Sequence, residues 1–251
     1  MNGAAERPRL VSHFWHGDLL RSRSVSDLVL VGQLEVPPPP ARLTADWARE
    51  IATHLALEAG DVEALPLARA RARWPDYTRC VQAVTDWTRT LGLRGVLAAS
   101  DVALMACRGA RYHHDGAQYG GAVFCNLFMS EDKGLDVHFP SVGRRVPLTR
   151  GTVLIFDTGQ PHAVVLRGRS DFDAKDFAPP HDRTQVFLTW ELPVEAPAIA
   201  QVMGIGFDVD GSAADAPDAE GLRLDGAHAV LCPATGRWRV GDAPAGQTDV
   251  G

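Results

Sequence analysis

Two side chains of the kinds that bind metal ions stand two positions apart in the segment RYHHDG. They are His113 and Asp115, with His114 between them. If the backbone is extended here, strand alternation places His113 and Asp115 on one face and His114 on the other. An imidazole nitrogen and a carboxylate oxygen on one face can chelate a single ion. The segment therefore predicts part of a metal site.

A third candidate ligand, His162, follows Asp115 by 47 positions, in the sequence GQPHAV at the start of a predicted strand. Strands this far apart in sequence can lie side by side in an antiparallel sheet. Two imidazoles and one carboxylate on one side of an ion leave its other coordination positions open, which is typical of non-haem Fe(II) oxygenases. His113, Asp115 and His162 are therefore predicted to bind the metal together and to form the catalytic centre.

The order of these motifs resembles the Fe(II)/2-oxoglutarate-dependent oxygenase family over residues 101–195. The matching segments are RYHHDG, GTVLIFDTGQPHAV and DRTQVFLTWEL. The resemblance implies an α+β, mainly β fold, in which a double-stranded β-helix, or jelly roll, is buttressed by N-terminal helices. It also implies Fe(II) and 2-oxoglutarate as cofactors and O2 as a co-substrate. The expected reaction is hydroxylation of an unactivated C–H bond, with release of succinate and CO2.

Members of this family bind the far carboxylate of 2-oxoglutarate through a basic residue on the strand after the second metal histidine. Arg183 is the first choice here, because a guanidinium can hold a carboxylate through two parallel hydrogen bonds. Arg183 lies 21 residues after His162, about twice the usual separation, since residues 168–182 look inserted. Arg167 and Arg169 lie nearer to the histidine and stay open as candidates.

Two smaller polar residues are assigned to the cofactor pocket by their positions on predicted strands. Thr189 shares the alternating face of its strand with Arg183, Gln185 and Phe187. Asn126 is a sheet-facing residue of the run GGAVFCNLFM. Both are predicted to bind the cofactor together with an arginine.

Three other functions remain open at this point. A cupin-type metalloenzyme would share the jelly roll and act without 2-oxoglutarate, usually with additional His or Glu ligands. A halogenase uses the same scaffold but usually replaces the carboxylate ligand with a small residue, whereas Asp115 is present. A non-catalytic jelly-roll binding module would need no metal, and metal analysis of the protein separates it from the enzymes.

The elements that must position these residues fall into a helical part and a strand-rich part. Residues 1–42 read as irregular, apart from a possible strand at Leu28–Val31. Two helices are predicted over residues 44–59 and 77–91, where apolar residues recur at helical spacing. These helices are expected to support one sheet of the jelly roll.

From residue 101 onward, short apolar runs separated by turn residues predict antiparallel strands. The runs are DVALMAC, GGAVFCNLFM, LDVHF, GTVLIFD, PHAVVL and TQVFLTWEL. The polar, proline-containing residues 168–182 predict a surface loop long enough to act as a lid. The hairpin-like AHAVLCPATGRWRV near the end is interpreted as part of a C-terminal extension.

Length and charge limit the class of protein further. The 251 residues fit a single oxygenase domain over 1–251, divided into helical support (1–100), jelly-roll core (101–195) and extension (196–251). A net charge of −6 disfavours nucleic acid as a partner. Neither a membrane span nor a secretory signal is recognised, and scattered cysteines favour a cytoplasmic protein. A small-molecule substrate is therefore expected, and the oligomeric state stays open.

Overall fold

The protein is described by a computed structural model that covers residues 9–210 and 221–241. The first strands are β1 Leu10–His16, β2 Leu19–Ser24, β3 Val29–Gln33, β4 Val62–Leu65, β5 Val102–Cys107, β6 Ala110–His113, β7 Ala122–Phe128 and β8 Leu135–Phe139. The later strands are β9 Arg144–Pro147, β10 Thr152–Asp157, β11 His162–Leu166, β12 Gln185–Pro193, β13 Gly221–Leu224, β14 Ala227–Leu231 and β15 Trp238–Val240. The α-helices are α1 Ala41–Glu50, α2 Leu67–Arg71, α3 Tyr77–Thr90 and α4 Pro197–Met203, and a π-helical turn, Ile51–Leu55, continues α1.

Two antiparallel sheets form the jelly roll. The larger sheet has the strand order β3-β10-β7-β12-β5-β4, and the smaller has the order β6-β11-β8-β9. From β5 to β12 successive strands alternate between the two sheets, except that β8 and β9 form a hairpin within the smaller one. Four strands in each sheet, wound in this alternating order, make a double-stranded β-helix. The predicted fold class, mainly β with a jelly roll, is confirmed.

Strand alternation separates the two faces of the larger sheet. On β12, Phe187 packs inward and stacks on Phe128 of β7, with ring centroids 5.0 Å apart, in the core between the sheets. Its neighbours Val186 and Leu188 belong to the other core, which the helices cover. Gln185 and Thr189 therefore share the inward face of β12 with Phe187.

The helices pack on the outer face of the larger sheet. Trp47 of α1 and Val84 of α3 are buried in the same core as Leu127 and Leu188 of that sheet. The predicted buttressing role is thus confirmed, and α3 matches the predicted helix 77–91 closely. The first helix is displaced toward the N-terminus, because it begins after the proline run and ends at Ala56, which adopts a left-handed φ of 46°.

The expectation that residues 1–42 are mostly irregular is wrong. They contain β1, β2 and β3, and β3 extends the larger sheet. The first two strands join the predicted C-terminal hairpin, which is confirmed as β14 and β15, in a third sheet of order β15-β14-β13-β1-β2. The sequences LVSHFWH and LLRSRS lack a clean apolar alternation. They form strands because β1 pairs with β13, about 200 positions later, and no local pattern shows such a partner.

The segment 168–182 is only partly a surface loop. A 3-10 turn at Ala174–Phe177 places Phe177 in the core between the sheets, stacked on Phe172 with centroids 5.4 Å apart. Its remaining residues are largely exposed. Within residues 9–210 and 221–241, no helix combines the length and apolarity that crossing a bilayer would need.

Candidate metal centre

The three predicted ligands converge at one end of the smaller sheet. Nε2 of His113 lies 3.7 Å from Oδ1 of Asp115, and Nε2 of His162 lies 3.5 Å from Oδ2 of the same carboxylate. One ligand atom from each residue can be chosen so that all lie within 4.8 Å of one another. An ion with bonds of about 2.0–2.2 Å holds adjacent ligands roughly 3 Å apart. Small side-chain adjustments would therefore let these residues bind one divalent metal ion.

Strand pairing positions the two histidines, and a turn positions the aspartate. His113 ends β6 and pairs in register with His162, the first residue of β11. Asp115 lies beyond the strand, where its backbone N–H donates to the carbonyl oxygen of Thr158 at 2.8 Å. The structure brings the three residues together, but strand alternation is not the cause. The intervening His114 packs instead against Trp238, with ring centroids 5.2 Å apart.

Both histidines present Nε2 to the site because backbone carbonyls hold their other nitrogen. Nδ1 of His113 is 2.7 Å from the carbonyl oxygen of Arg111, and Nδ1 of His162 is 3.0 Å from that of Gln160. A carbonyl oxygen only accepts hydrogen bonds, so Nδ1 of each ring is the donor, and the neutral form of each ring keeps its lone pair on Nε2. This is the usual way in which a protein orients metal-binding imidazoles.

Burial shifts the pKa values of two of the three candidate ligands. It lowers the pKa of His162 well below its usual range, and the neighbouring His113 adds to this effect. Burial also raises the pKa of Asp115. A neutral imidazole suits metal binding, and a cation would relieve the cost of keeping the Asp115 carboxylate ionised in a poorly solvated place.

One side of the triad is walled by aromatic rings and the other is open. The ring of Phe156 lies 4.8 Å from that of His162 in an edge-to-face arrangement, and Phe139 lies behind it. The side chain of His162 is only 9% exposed, whereas that of His113 is 38% exposed. His113 therefore lies on the more accessible side of the triad.

Two of the three arginine candidates are already paired with carboxylates. Arg167 contacts Asp132 at 2.9 Å and Asp136 at 3.0 Å. Arg169 contacts Asp171 at 3.1 Å in the exposed part of segment 168–182. Neither guanidinium is free to receive a further carboxylate without giving up these partners.

Arg183 differs because no carboxylate of the described residues pairs with it. Its Nη1 donates a hydrogen bond to the carbonyl oxygen of Asp176, and its side chain is partly buried. Two positions later Gln185 is fully buried, and neither of its amide atoms has a hydrogen-bond partner among the described residues. Unpaired buried polar atoms are costly, so they indicate a place where a polar ligand could bind.

Asn126 and Thr189 lie side by side on the inward face of the larger sheet. They are directly opposite each other in the pairing of β7 and β12. Asn126 is 8% exposed, and its Oδ1 has no partner among the described residues. The structure thus brings together two of the polar residues predicted to bind the cofactor.

Sequence analysis missed a pair of charged residues next to the triad. Asp157, the last residue of β10, forms a fully buried ion pair with Arg23 of β2. The aspartate could have been noticed, because it ends an otherwise apolar strand just before the segment that carries His162. Its arginine partner could not, since it lies in a stretch that reads as irregular.

A large cavity lies away from the triad. It has a volume of about 1190 Å³ and extends between α1, the π-helical turn and residues 174–186. None of the three ligands lines it. Its size therefore says nothing about the chemistry of the metal centre.

No protein-family model matches the chain, and no curated protein matches it. Among solved structures, it is similar to a Pseudomonas putida prolyl-4-hydroxylase, at 18% identity over 66% of this chain and 92% of that one, with a TM-score of 0.36. A viral collagen prolyl hydroxylase from Paramecium Bursaria Chlorella virus-1 is similar at 7% identity, over 66% of this chain and 89% of that one, with a TM-score of 0.40. The non-heme alpha ketoglutarate dependent epimerase SnoN from nogalamycin biosynthesis is similar at 13% identity, over 65% of this chain and 78% of that one, with a TM-score of 0.34.

Proposed function

We propose that the protein is an Fe(II)- and 2-oxoglutarate-dependent oxygenase that hydroxylates a C–H bond of a small molecule, such as an amino acid or a natural-product intermediate. The observation that carries this proposal is the convergence of His113, Asp115 and His162 inside a jelly roll. This donor set is typical of iron centres that keep positions open for a co-substrate and O2.

His113, Asp115 and His162 would hold the iron. When bound, iron and 2-oxoglutarate supply the oxidation of the substrate, with release of succinate and CO2. The chain's own residues would bind and orient the cofactors and the substrate, and they would exclude water. Backbone carbonyls would keep Nε2 of both histidines available to the ion, and Phe156 packs edge-to-face against the ring of His162.

Arg183 is proposed to bind the far carboxylate of 2-oxoglutarate, with Asn126 and Thr189 as further polar contacts. Support comes from the absence of a carboxylate partner for Arg183 among the described residues, and from the unpaired amide oxygen of Asn126. Arg169 is the weaker candidate, because it would first have to leave Asp171.

Hydroxylation is favoured over halogenation by the position of Asp115. Its two carboxylate oxygens approach the two histidine rings, one each. A carboxylate that ligates iron occupies the position that chloride would need, and it also offsets part of the charge of the ion. With Asp115 as a ligand, the chemistry that bound iron would supply is therefore hydroxylation.

The proposal is tested by metal and co-substrate binding followed by turnover. Chelator-treated protein is titrated anaerobically with Fe(II) and then with 2-oxoglutarate, and succinate is measured across metabolite pools. One iron per chain, 2-oxoglutarate binding that requires the metal, and succinate formation that depends on one metabolite are expected. Iron binding without 2-oxoglutarate binding would favour a cupin-type enzyme, and no metal binding would favour a binding module.

A further inference from the structure

A fully buried ion pair links the third sheet to the metal centre. Arg23 of β2 and Asp157 at the end of β10 both have side chains that are 0% exposed. Two hydrogen bonds join them, from Nη1 to Oδ2 at 2.7 Å and from Nη2 to Oδ1 at 2.9 Å. This two-bond geometry fixes the plane of each group relative to the other.

The carboxylate of Asp157 also organises the segment that leads to His162. It accepts hydrogen bonds from the backbone N–H of Gly159 at 2.9 Å and of Ser26 at 2.8 Å. The side-chain amide of Gln160 donates to the carbonyl oxygen of Ser26 at 2.7 Å. The carbonyl oxygen of Gln160 in turn accepts the hydrogen bond from Nδ1 of His162. The orientation of this ligand therefore depends on contacts with the segment after β2.

The guanidinium of Arg23 reaches the segment that carries Asp115 as well. Its Nε donates to the carbonyl oxygen of Gly120 at 2.6 Å. Gly120 lies next to a turn in which the N–H of Tyr119 donates to the carbonyl oxygen of Asp115 at 2.8 Å. Thr158 joins the two segments, because its carbonyl oxygen accepts the hydrogen bond from the N–H of Asp115. One arginine thus touches both ligand-bearing segments.

We propose that Arg23 and Asp157 are positioning residues of the metal centre, and that the third sheet sets metal affinity through them. The inference rests on the proposed metal site. A buried ion pair is a weak stabiliser compared with well-packed apolar residues of similar volume. Apolar residues in place of Arg23 and Asp157 would stabilise the fold equally well. Control of the ligand geometry therefore explains why a charged pair is found there.

The test compares metal affinity in variants that remove the ion pair and in a matched control. Arg23→Met combined with Asp157→Leu removes both charges and keeps similar volumes. Arg21→Met is the control, because Arg21 lies on the same strand but pairs with Glu195 and Asp208, away from the ligands. Co(II) is titrated into metal-free protein, its visible absorption bands are recorded, and thermal unfolding is followed in the presence of chelator.

The double variant is expected to bind Co(II) about tenfold or more weakly with altered absorption bands, the loss typical of removing an outer contact of a metal ligand. The control should match the wild type in both measurements. A folded double variant with wild-type affinity and bands overturns the inference while leaving the proposed function intact. A wild type that binds no Co(II) overturns the proposed metal site itself.

Arg23→Lys keeps the test decisive if the double variant does not fold. A lysine ammonium retains the charge but cannot hold both oxygens of Asp157 and the carbonyl of Gly120 in the same planar arrangement. Its Co(II) affinity is expected to fall severalfold in a protein that unfolds cooperatively. An affinity equal to that of the wild type contradicts the positioning role.

Discussion

The segments that follow β10 and β11 use the same chemistry, an arginine paired with an aspartate, in opposite surroundings. In residues 157–162, Asp157 pairs with Arg23, and both side chains are completely buried. In residues 168–182, Arg169 pairs with Asp171, and these side chains are 41% and 56% exposed. The first segment carries His162, a candidate metal ligand, and the second is the predicted lid.

The difference shows what an ion pair does in each environment. An exposed ion pair contributes about 0–1 kcal/mol to the free energy of unfolding, because water solvates both charges whether or not they are paired and salt screens them. A buried pair whose groups are fully hydrogen-bonded contributes little net stability, yet losing one partner costs about 3–5 kcal/mol. Burial therefore makes the geometry of residues 157–162 hard to change, while the pairs of residues 168–182 can be exchanged for water.

The largest expected effect comes from removing the ligand that the rigid segment carries. His162→Ala should abolish stoichiometric Fe(II) binding, because two remaining ligands are too few to hold the ion, and unfolding should stay cooperative. His114→Ala is the control, since His114 packs against Trp238 and not in the triad. Metal analysis gives the iron content of each variant, and calorimetry shows whether each unfolds cooperatively. Full metal occupancy in His162→Ala would show that the triad is wrongly assigned.

Removing one aspartate from each ion pair tests most directly whether burial distinguishes the two segments. Asp157→Ala should lower the free energy of unfolding by about 3–5 kcal/mol, because it leaves the charge of Arg23 buried and unpaired. Asp171→Ala should change it by less than about 1 kcal/mol. Chemical denaturation measures both values in metal-free protein. Equal losses would mean that burial does not separate the two segments.

A smaller effect is expected where segment 168–182 meets β12. Arg183→Ala should weaken 2-oxoglutarate binding about tenfold or more, since a charge-assisted hydrogen bond contributes roughly 1.5–3 kcal/mol. Arg167→Ala is the control, because Arg167 is paired with Asp132 and Asp136. Calorimetric titration of the metal-loaded protein gives the two affinities. An unchanged affinity in Arg183→Ala would shift the role to Arg169.

The smallest effect concerns motion rather than binding. Amide exchange in the exposed part of residues 168–182 should be fast without substrate and slower with it, as expected of a lid. The amides of Gly159 and Gln160 should be protected in both states, because they donate to the side chain and the carbonyl oxygen of Asp157. Strong and equal protection of both segments would identify residues 168–182 as a fixed insertion.

Six of the eight jelly-roll strands, and three residues that the fold brings together as candidate ligands, could be predicted from the sequence. Each apolar run from DVALMAC to TQVFLTWEL became a strand, because a buried strand carries its own local pattern of apolar residues and turn signals. His113, Asp115 and His162 were recognisable because metal ligands are few in type and their order along the chain is distinctive. Two of the helices, α1 and α3, were recognised by their spacing for the same local reason, whereas α2 and α4 were not predicted.

Contacts between distant residues were decided only by the tertiary structure. Arg23 and Asp157 are 134 positions apart, and β1 pairs with a strand about 200 positions later. The turn that places Asp115 depends on Thr158, and the pairing of Arg167 with Asp132 removes it from the candidates for 2-oxoglutarate. Such pairs leave no periodic signal in the chain, because their energy comes from burial and hydrogen bonding that exist only once the sheets have assembled.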